Sequence, residues 1–242
     1  VINIAAIAVV PETEIVGTGS VYYISSDKTW TSDRIWIMNG KVVVQTGATL
    51  TIEPGTIIKA ENKTGADATA LVVARGAKVN ATGTLSKPII MTSVLDDINY
   101  KSVNFKGSTL NNANQSLWGG LIVLGKAAVG VSGGEDNIEG IPALPFSLYG
   151  GNVDTDNSGT YKYISIRHSG AELAPGNELQ GLTLGGVGSG TIIENIEIVA
   201  SGDDGVEIFG GSVNVTNILV WAQGDDGIDL DQAYKGTIKN AM

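Results

Sequence analysis

Two stretches near the C-terminus are close copies of each other at an offset of 22 residues, and few architectures tolerate that. Thr191–Phe209 reads TIIENIEIVASGDDGVEIF and Ser212–Asp231 reads SVNVTNILVWAQGDDGIDLD. Asn195 matches Asn217, Gly202-Asp203-Asp204-Gly205 matches Gly224-Asp225-Asp226-Gly227, and Val206-Glu207-Ile208 matches Ile228-Asp229-Leu230. A looser third copy precedes them. YISIRHSG (163–170) aligns with NIEIVASG (195–202), and Gln180–Leu184 aligns with Asp204–Ile208 after an insertion, Ala171–Leu179. Inside each copy apolar residues alternate with polar ones, which is the two-residue period of strands with one buried face. Short strands at a fixed period, with Gly or Asn turns between them, predict a solenoid in which each repeat is one coil. Ile164, Ile196 and Ile218 are expected in one interior stack, and Leu182, Val206 and Ile228 in another.

The N-terminal half has the same pattern with longer coils: VVVQTGATLTIEPGTIIKA (42–60), ALVVARGAKVNATGTLSKPIIMTS (70–93) and LWGGLIVLGKAAV (117–129). Glu61–Thr69, Val94–Ser116 and Val131–Lys162 interrupt it with Asn, Asp, Gly and Ser, and predict loops thrown out from the stack. Residues 1–30 are expected to form an N-terminal strand or cap, with VINIAAIAVV as its first strand. Residues 31–242 form the solenoid, and Gly236–Asn240 resembles the opening of another coil. That predicts either more native sequence beyond Met242 or a partner, end to end or in a further domain, because open strand edges invite pairing.

Composition then removes classes of function. The net charge is −10 with no basic run, so neither nucleic acid nor an anionic membrane is an expected partner. The apolar N-terminal run is too short to cross a bilayer, so no membrane span is expected. Without Cys there is no disulfide, thiol nucleophile or Cys-metal site, and a single His, His168, excludes multi-His zinc chemistry. No organic cofactor is expected.

Several residues remain candidates for chemistry. Stacked coils place Asp203 over Asp225, Asp204 over Asp226, and Glu207 over Asp229 on the outer face. Such columns of like charge must be protonated, splayed into water or bridged by a cation, and Ca2+ suits a loose set of oxygens. The alternative is that Asp-Asp-Gly makes a tight turn and its carboxylates cap backbone N–H groups. Asp154 and Asp156 in DTDNSG copy the first half of a calcium loop, and a plain polar loop tip is the alternative. Asn195 and Asn217 predict an amide ladder at a bend, with Tyr163 in that place in the third copy. Ser165, Glu197 and Leu219 share one outward column, and Arg167, Val199 and Trp221 the next. Tyr100, Phe105, Trp118, Phe146, Tyr149 and Tyr161 lie in or beside the interruptions, where their rings suit sugar stacking or packing of the loops. Of these, Trp118, Tyr149 and Tyr161, with Glu197 and Trp221, are the expected ligand-binding residues.

The run VVVQTGATLTIEPGTIIKA and the repeated SGDDGVEIF and QGDDGIDL resemble right-handed parallel β-helix proteins of pectin-lyase-like architecture, in particular secreted or surface-anchored bacterial members. The resemblance covers residues 30–242 and implies an all-β, right-handed parallel β-helix. It implies an extracellular or cell-surface role in recognition, adhesion or scaffolding of a polysaccharide or other glycan, with Ca2+ as a candidate ion. The alternatives it leaves open are a polysaccharide lyase or glycoside hydrolase and a ligand-free stalk, because this architecture hosts all of them. For an enzyme, Arg167 and His168 with Asp203 and Asp226 are the candidate catalytic residues. The Gly-His-Gly and Arg-x-Lys segments that accompany the Asp pair of polygalacturonase-like members are missing here.

Overall fold

A computed structural model describes residues 12–139, 141, 144–174 and 176–242. The first expected strand, in residues 1–10, lies outside the described residues. Within the segment expected to cap the stack, Glu12–Trp30 forms a regular coil: Glu12 pairs with Arg34, Val21 with Lys41 and Lys28 with Leu50.

Each coil lays down three short strands. The first face stacks Glu12–Val16, Arg34–Met38, Ile57–Ala60 and Ile89–Ser93, and continues into the C-terminal halves of Gly159–Arg167, Ile192–Val199 and Asn214–Trp221. The second face stacks Val21–Ile24, Lys41–Val44, Ala70–Val73, Gly120–Leu124, Leu182–Gly185, Val206–Phe209 and Ile228–Asp231. The third stacks Lys28–Trp30, Thr49–Ile52 and Lys78–Thr82, then the N-terminal halves of the three long strands. All these pairings are parallel, so the chain is a parallel β-helix. No helix among the described residues is long and apolar enough to cross a membrane.

The repeat sets the register. Ile164 pairs with Ile196 and Ile196 with Ile218, while Leu182, Val206 and Ile228 form the matching column on the second face. The same spacing holds where the sequence hides it: Ile35 pairs with Ile57, again 22 residues on. Ile57 pairs with Ile90 and Ile89 with Ile164 across larger gaps, because the loops are inserted between strands and leave the coil itself unchanged.

The core is a set of such columns. Trp36, Ile58, Met91, Ile166, Ile198 and Val220 run up the first face, and Ile52, Ala81, Tyr161, Ile193, Val215 and Ile238 up the third. The Tyr161 ring stacks against the small Ala81, so a large residue faces a small one and the interior stays filled. Val131–Lys162 is therefore not loop throughout: Gly159–Lys162 is strand, paired with Val79–Thr82. Ending the interruption at Lys162 overlooked the inward alternation that begins at Tyr161.

The first and third faces meet at a bend where the residue takes the left-handed conformation. Tyr163, Asn195, Asn217 and Asn240 stack there with φ of 51°, 56°, 57° and 57°. Asn tolerates this region better than most residues. The Asn217 amide donates to Asn195 Oδ1 at 2.9 Å, and the Asn240 amide to Asn217 Oδ1 at 2.7 Å, so the ladder has one rung more than the two expected.

Replacing Ile196, buried between Ile164 and Ile218, with Asp is expected to lower unfolding free energy by about 4 kcal/mol, since an unpaired charge enters an apolar column. Ile196→Val should cost about 1 kcal/mol. Urea melts of the two variants check both figures, and equal midpoints would contradict the stacking.

Candidate functional site

The outer face of the first sheet carries a cleft because the 94–116 loop leaves the strand Ile89–Ser93 and crosses it. The loop is anchored at its base. Asp96 is buried, and its carboxylate accepts hydrogen bonds from Thr92 Oγ1 at 3.0 Å and the Ile98 N–H at 3.1 Å. Lys59 Nζ donates to the Asp96 carbonyl at 2.5 Å, and Tyr100 Oη donates to the Arg34 carbonyl. Ser108 donates side-chain and backbone hydrogen bonds to Asp97, which hold that carboxyl down at about 2.

One outward column forms the floor of the cleft, and its polarity changes along the stack: Ile35, Ile57 and Ile90, then Ser165 and Glu197. The cleft accordingly has two halves. The smaller, of about 280 Å³, is lined by Ile57, Ile90, Ile98, Pro54, Tyr100 and Phe105. The larger, of about 550 Å³, is lined by Asp96, Asn111, Asn112, Arg167, His168 and Glu197, and again by Phe105. Phe105 and its neighbour Asn104 both have φ of 55°, a region that costs a bulky side chain about 1–2 kcal/mol.

Arg167 is held at all three of its nitrogens. Its Nε donates to Ser165 Oγ at 2.7 Å, one terminal nitrogen donates to the Phe105 carbonyl at 2.5 Å, and the other lies 3.4 Å from Glu197 Oε2. Ser165 Oγ donates to the same Glu197 oxygen. His168 is buried, and its Nδ1 lies 2.7 Å from the Asn114 carbonyl. A carbonyl only accepts, so Nδ1 carries the proton. Burial lowers the imidazole pKa from its ordinary value, which leaves a neutral ring with Nε2 as its open acceptor.

A second polar group sits at the corner between the first and second faces. Carboxylate oxygens of Asp203, Asp204 and Asp225 lie within 4.8 Å of one another, as do those of Asp204, Glu207 and Asp229. None of these groups makes an ion pair among the described residues. Glu207 Oε2 is buried without a hydrogen-bond partner. Burial, reinforced by Asp204 and Asp229, pushes the Glu207 carboxyl up to about 8. Asp204 is only 7% exposed, and its carboxyl rises to about 6 for the same reason, although it accepts the Asp226 N–H at 2.9 Å.

The structure corrects several expected roles. Trp118, Tyr149 and Tyr161 are buried and offer no ring face to a ligand. Trp118 Nε1 donates to the Arg167 carbonyl, Tyr149 packs in a second core beneath the loops, and Tyr161 lies in the interior. Trp221 is 60% exposed but stands clear of the cleft, whereas Glu197 lies in it. Asp203 and Asp226 do not line the cleft that holds Arg167 and His168, so the four do not form one catalytic group. The Asp226 side chain is outside both carboxylate groups, and its backbone N–H is capped by Asp204. Asp154 and Asp156 accept the N–H groups of Ala128 and Lys126, and Asp154 lies 3.7 Å from Lys235 Nζ. They fasten their loop to the solenoid and join no carboxylate group among the described residues. Asp96 and the asparagines of the 94–116 loop were not anticipated, because that loop is outside the repeat and its path cannot be read from register.

The family model of the pectate-lyase like beta helix domain matches residues 22–242. No curated protein and no solved structure gives a significant match to the chain. The stacked parallel coils and the reach of that match together show that the chain belongs to the pectate-lyase-like β-helix family.

Proposed function

We propose that the protein is a glycan-recognition module that acts outside the cell, secreted or held at a bacterial outer surface, with the saccharide lying in the cleft of the first face. The observation that carries this reading is the composition of the cleft. Planar amide, carboxylate and guanidinium groups from Asn111, Asn112, Glu197 and Arg167 surround an exposed aromatic ring, Phe105. Such groups match ring hydroxyls in pairs, and an aromatic face matches the C–H face of a sugar.

Binding is favoured over turnover by the engagement of Arg167. A cation that neutralises a uronate during β-elimination needs an unpaired charge, and that of Arg167 is already paired with Glu197 while its other two nitrogens donate to Ser165 and the Phe105 carbonyl. A polysaccharide panel, scored for retention on affinity gels and for new reducing or unsaturated ends, tests this. Retention without new ends is expected. Glu197→Ala should weaken it about tenfold, and Asp226→Ala should leave it unchanged. New chain ends would replace recognition with catalysis.

Ca2+ fits the acidic corner as a second component of this reading, supported by the orphaned oxygen of Glu207 among unpaired carboxylates. Asp204, Glu207 and Asp229 would hold the ion, with Asp203 and Asp225 as the adjoining group around Asp204, and the ion would bind loop to strand. Without metal, the raised carboxyls set the sign of the pH dependence. Folding binds protons at Asp204 and Glu207 that the unfolded chain has released, so their stabilisation is complete below about pH 4 and disappears as pH rises through about 6 and 8. Thermal melts in chelator should therefore fall between pH 5 and 9. Glu207→Gln should flatten that fall, and millimolar Ca2+ should raise the melting temperature at pH 8 in the parent but not in the variant. A Ca2+-independent melting temperature at pH 8 would remove calcium from the proposal.

A further inference from the structure

Phe105 is the one ring that lines both halves of the cleft, and it is 40% exposed. The chain places it at φ 55° directly after Asn104, also at 55°, where glycine is the usual occupant. A bulky residue in this region persists only when its surroundings hold it, and such positions gather at ligand-contacting sites. The hold is visible: Arg167 donates to the Phe105 carbonyl at 2.5 Å while Ser165 and Glu197 fix the rest of its guanidinium. The side chain most suited to meeting an acidic sugar is thus employed in presenting an aromatic ring.

From this we infer that Phe105 is the sugar-stacking platform of the cleft, that Arg167 is the positioning residue that aims it, and that the ligand is an uncharged saccharide spanning both halves. The inference rests on the glycan-recognition reading and adds the residue and the ligand class. Charge supports the class. In the polar half Lys106 and Arg167 are balanced by Asp96 and Glu197, and His168 is neutral, so no net field favours an anion. Lys87 in the apolar half is the remaining cation that a uronate could meet.

Calorimetric titration of the whole chain with neutral hexasaccharides (β-1,4-linked glucose, xylose and mannose) and with a galacturonate hexamer tests the inference. Binding of at least one neutral hexamer, tighter than the galacturonate, is expected. Phe105→Ala should weaken it about tenfold and Phe105→Trp should preserve it, with both variants melting near the parent. Arg167→Ala should cause a similar loss. The double variant Phe105→Ala/Arg167→Ala should be no weaker than either single one, a non-additivity that a purely structural arginine would not give. If the parent binds a neutral hexamer and Phe105→Ala binds it equally well, the platform is refuted and recognition at the cleft survives. If the galacturonate binds more tightly, the ligand class is wrong. If no saccharide binds, the underlying reading fails with it.

Discussion

The lateral ladder of parallel backbone hydrogen bonds is the interaction on which everything else depends. Stacking at the strand spacing of about 4.8 Å makes each residue the neighbour of its counterpart one coil away. A position in the coil thereby becomes a column, and the chemistry of a column is set by a single alignment. Ile164, Ile196 and Ile218 make a continuous apolar rod, while the same geometry forces Glu207 above Asp229. The constraint that stabilises the interior therefore concentrates like charge at the corner. The raised carboxyls of Asp204 and Glu207 are its electrostatic consequence.

Outward columns change polarity along the axis, and this change decides where loops lie. On the second face Val43, Val72 and Ile122 give way to Thr183, Glu207 and Asp229. The apolar stretch is covered by Ile138, Phe146 and Tyr149 of one insertion and by Leu173 and Leu179 of another, forming a second core outside the solenoid. On the first face the switch from Ile35, Ile57 and Ile90 to Ser165 and Glu197 lies beneath the 94–116 loop. There Ile98 packs on the apolar part, and the polar part is left open as the larger half of the cleft. In the last described coil of the second face, Leu230 continues an interior column from Ile208 and is 50% exposed.

What was legible in the sequence was whatever the repeat controls. The registers of Ile196, Val206 and Glu207, the outward columns at Glu197 and Arg167, and the amide ladder at Asn195 and Asn217 follow from a 22-residue offset and a two-residue alternation. Local propensity added the bends, since Asn accepts a left-handed backbone. The rings could not be placed that way. Trp118 lies beside an expected interruption and Tyr161 within one, yet both join the interior core, Tyr161 by the alternation of its own strand. Asp154 and Asp156 have a calcium-loop spacing, but their carboxylates are taken by the N–H groups of Ala128 and Lys126. Spacing reports which ligands exist along a loop and nothing of the backbone lying opposite.

The same distinction explains why fold and function separate so cleanly in this chain. A column is specified by short-range alignment, whereas the cleft is specified by the route of one insertion over the strands. That route is fixed by a few long-range contacts: Arg167 to the Phe105 carbonyl, 62 residues apart, Tyr100 to the Arg34 carbonyl, and Lys59 to the Asp96 carbonyl. Arg167 and Lys59 reach from the outer face of the solenoid to loop carbonyls, so those grips are kept when the loop's side chains change, while Tyr100 reaches back from the loop to a carbonyl on the strand. A stack of this kind offers a rigid floor with side chains at fixed spacing, and the insertion supplies the only part whose shape is free to fit a ligand. On the proposed glycan-recognition reading, specificity therefore belongs to the loop, and to the floor residues that aim it. Arg167 is the floor residue through which the strained segment at Asn104 and Phe105 is held to the sheet.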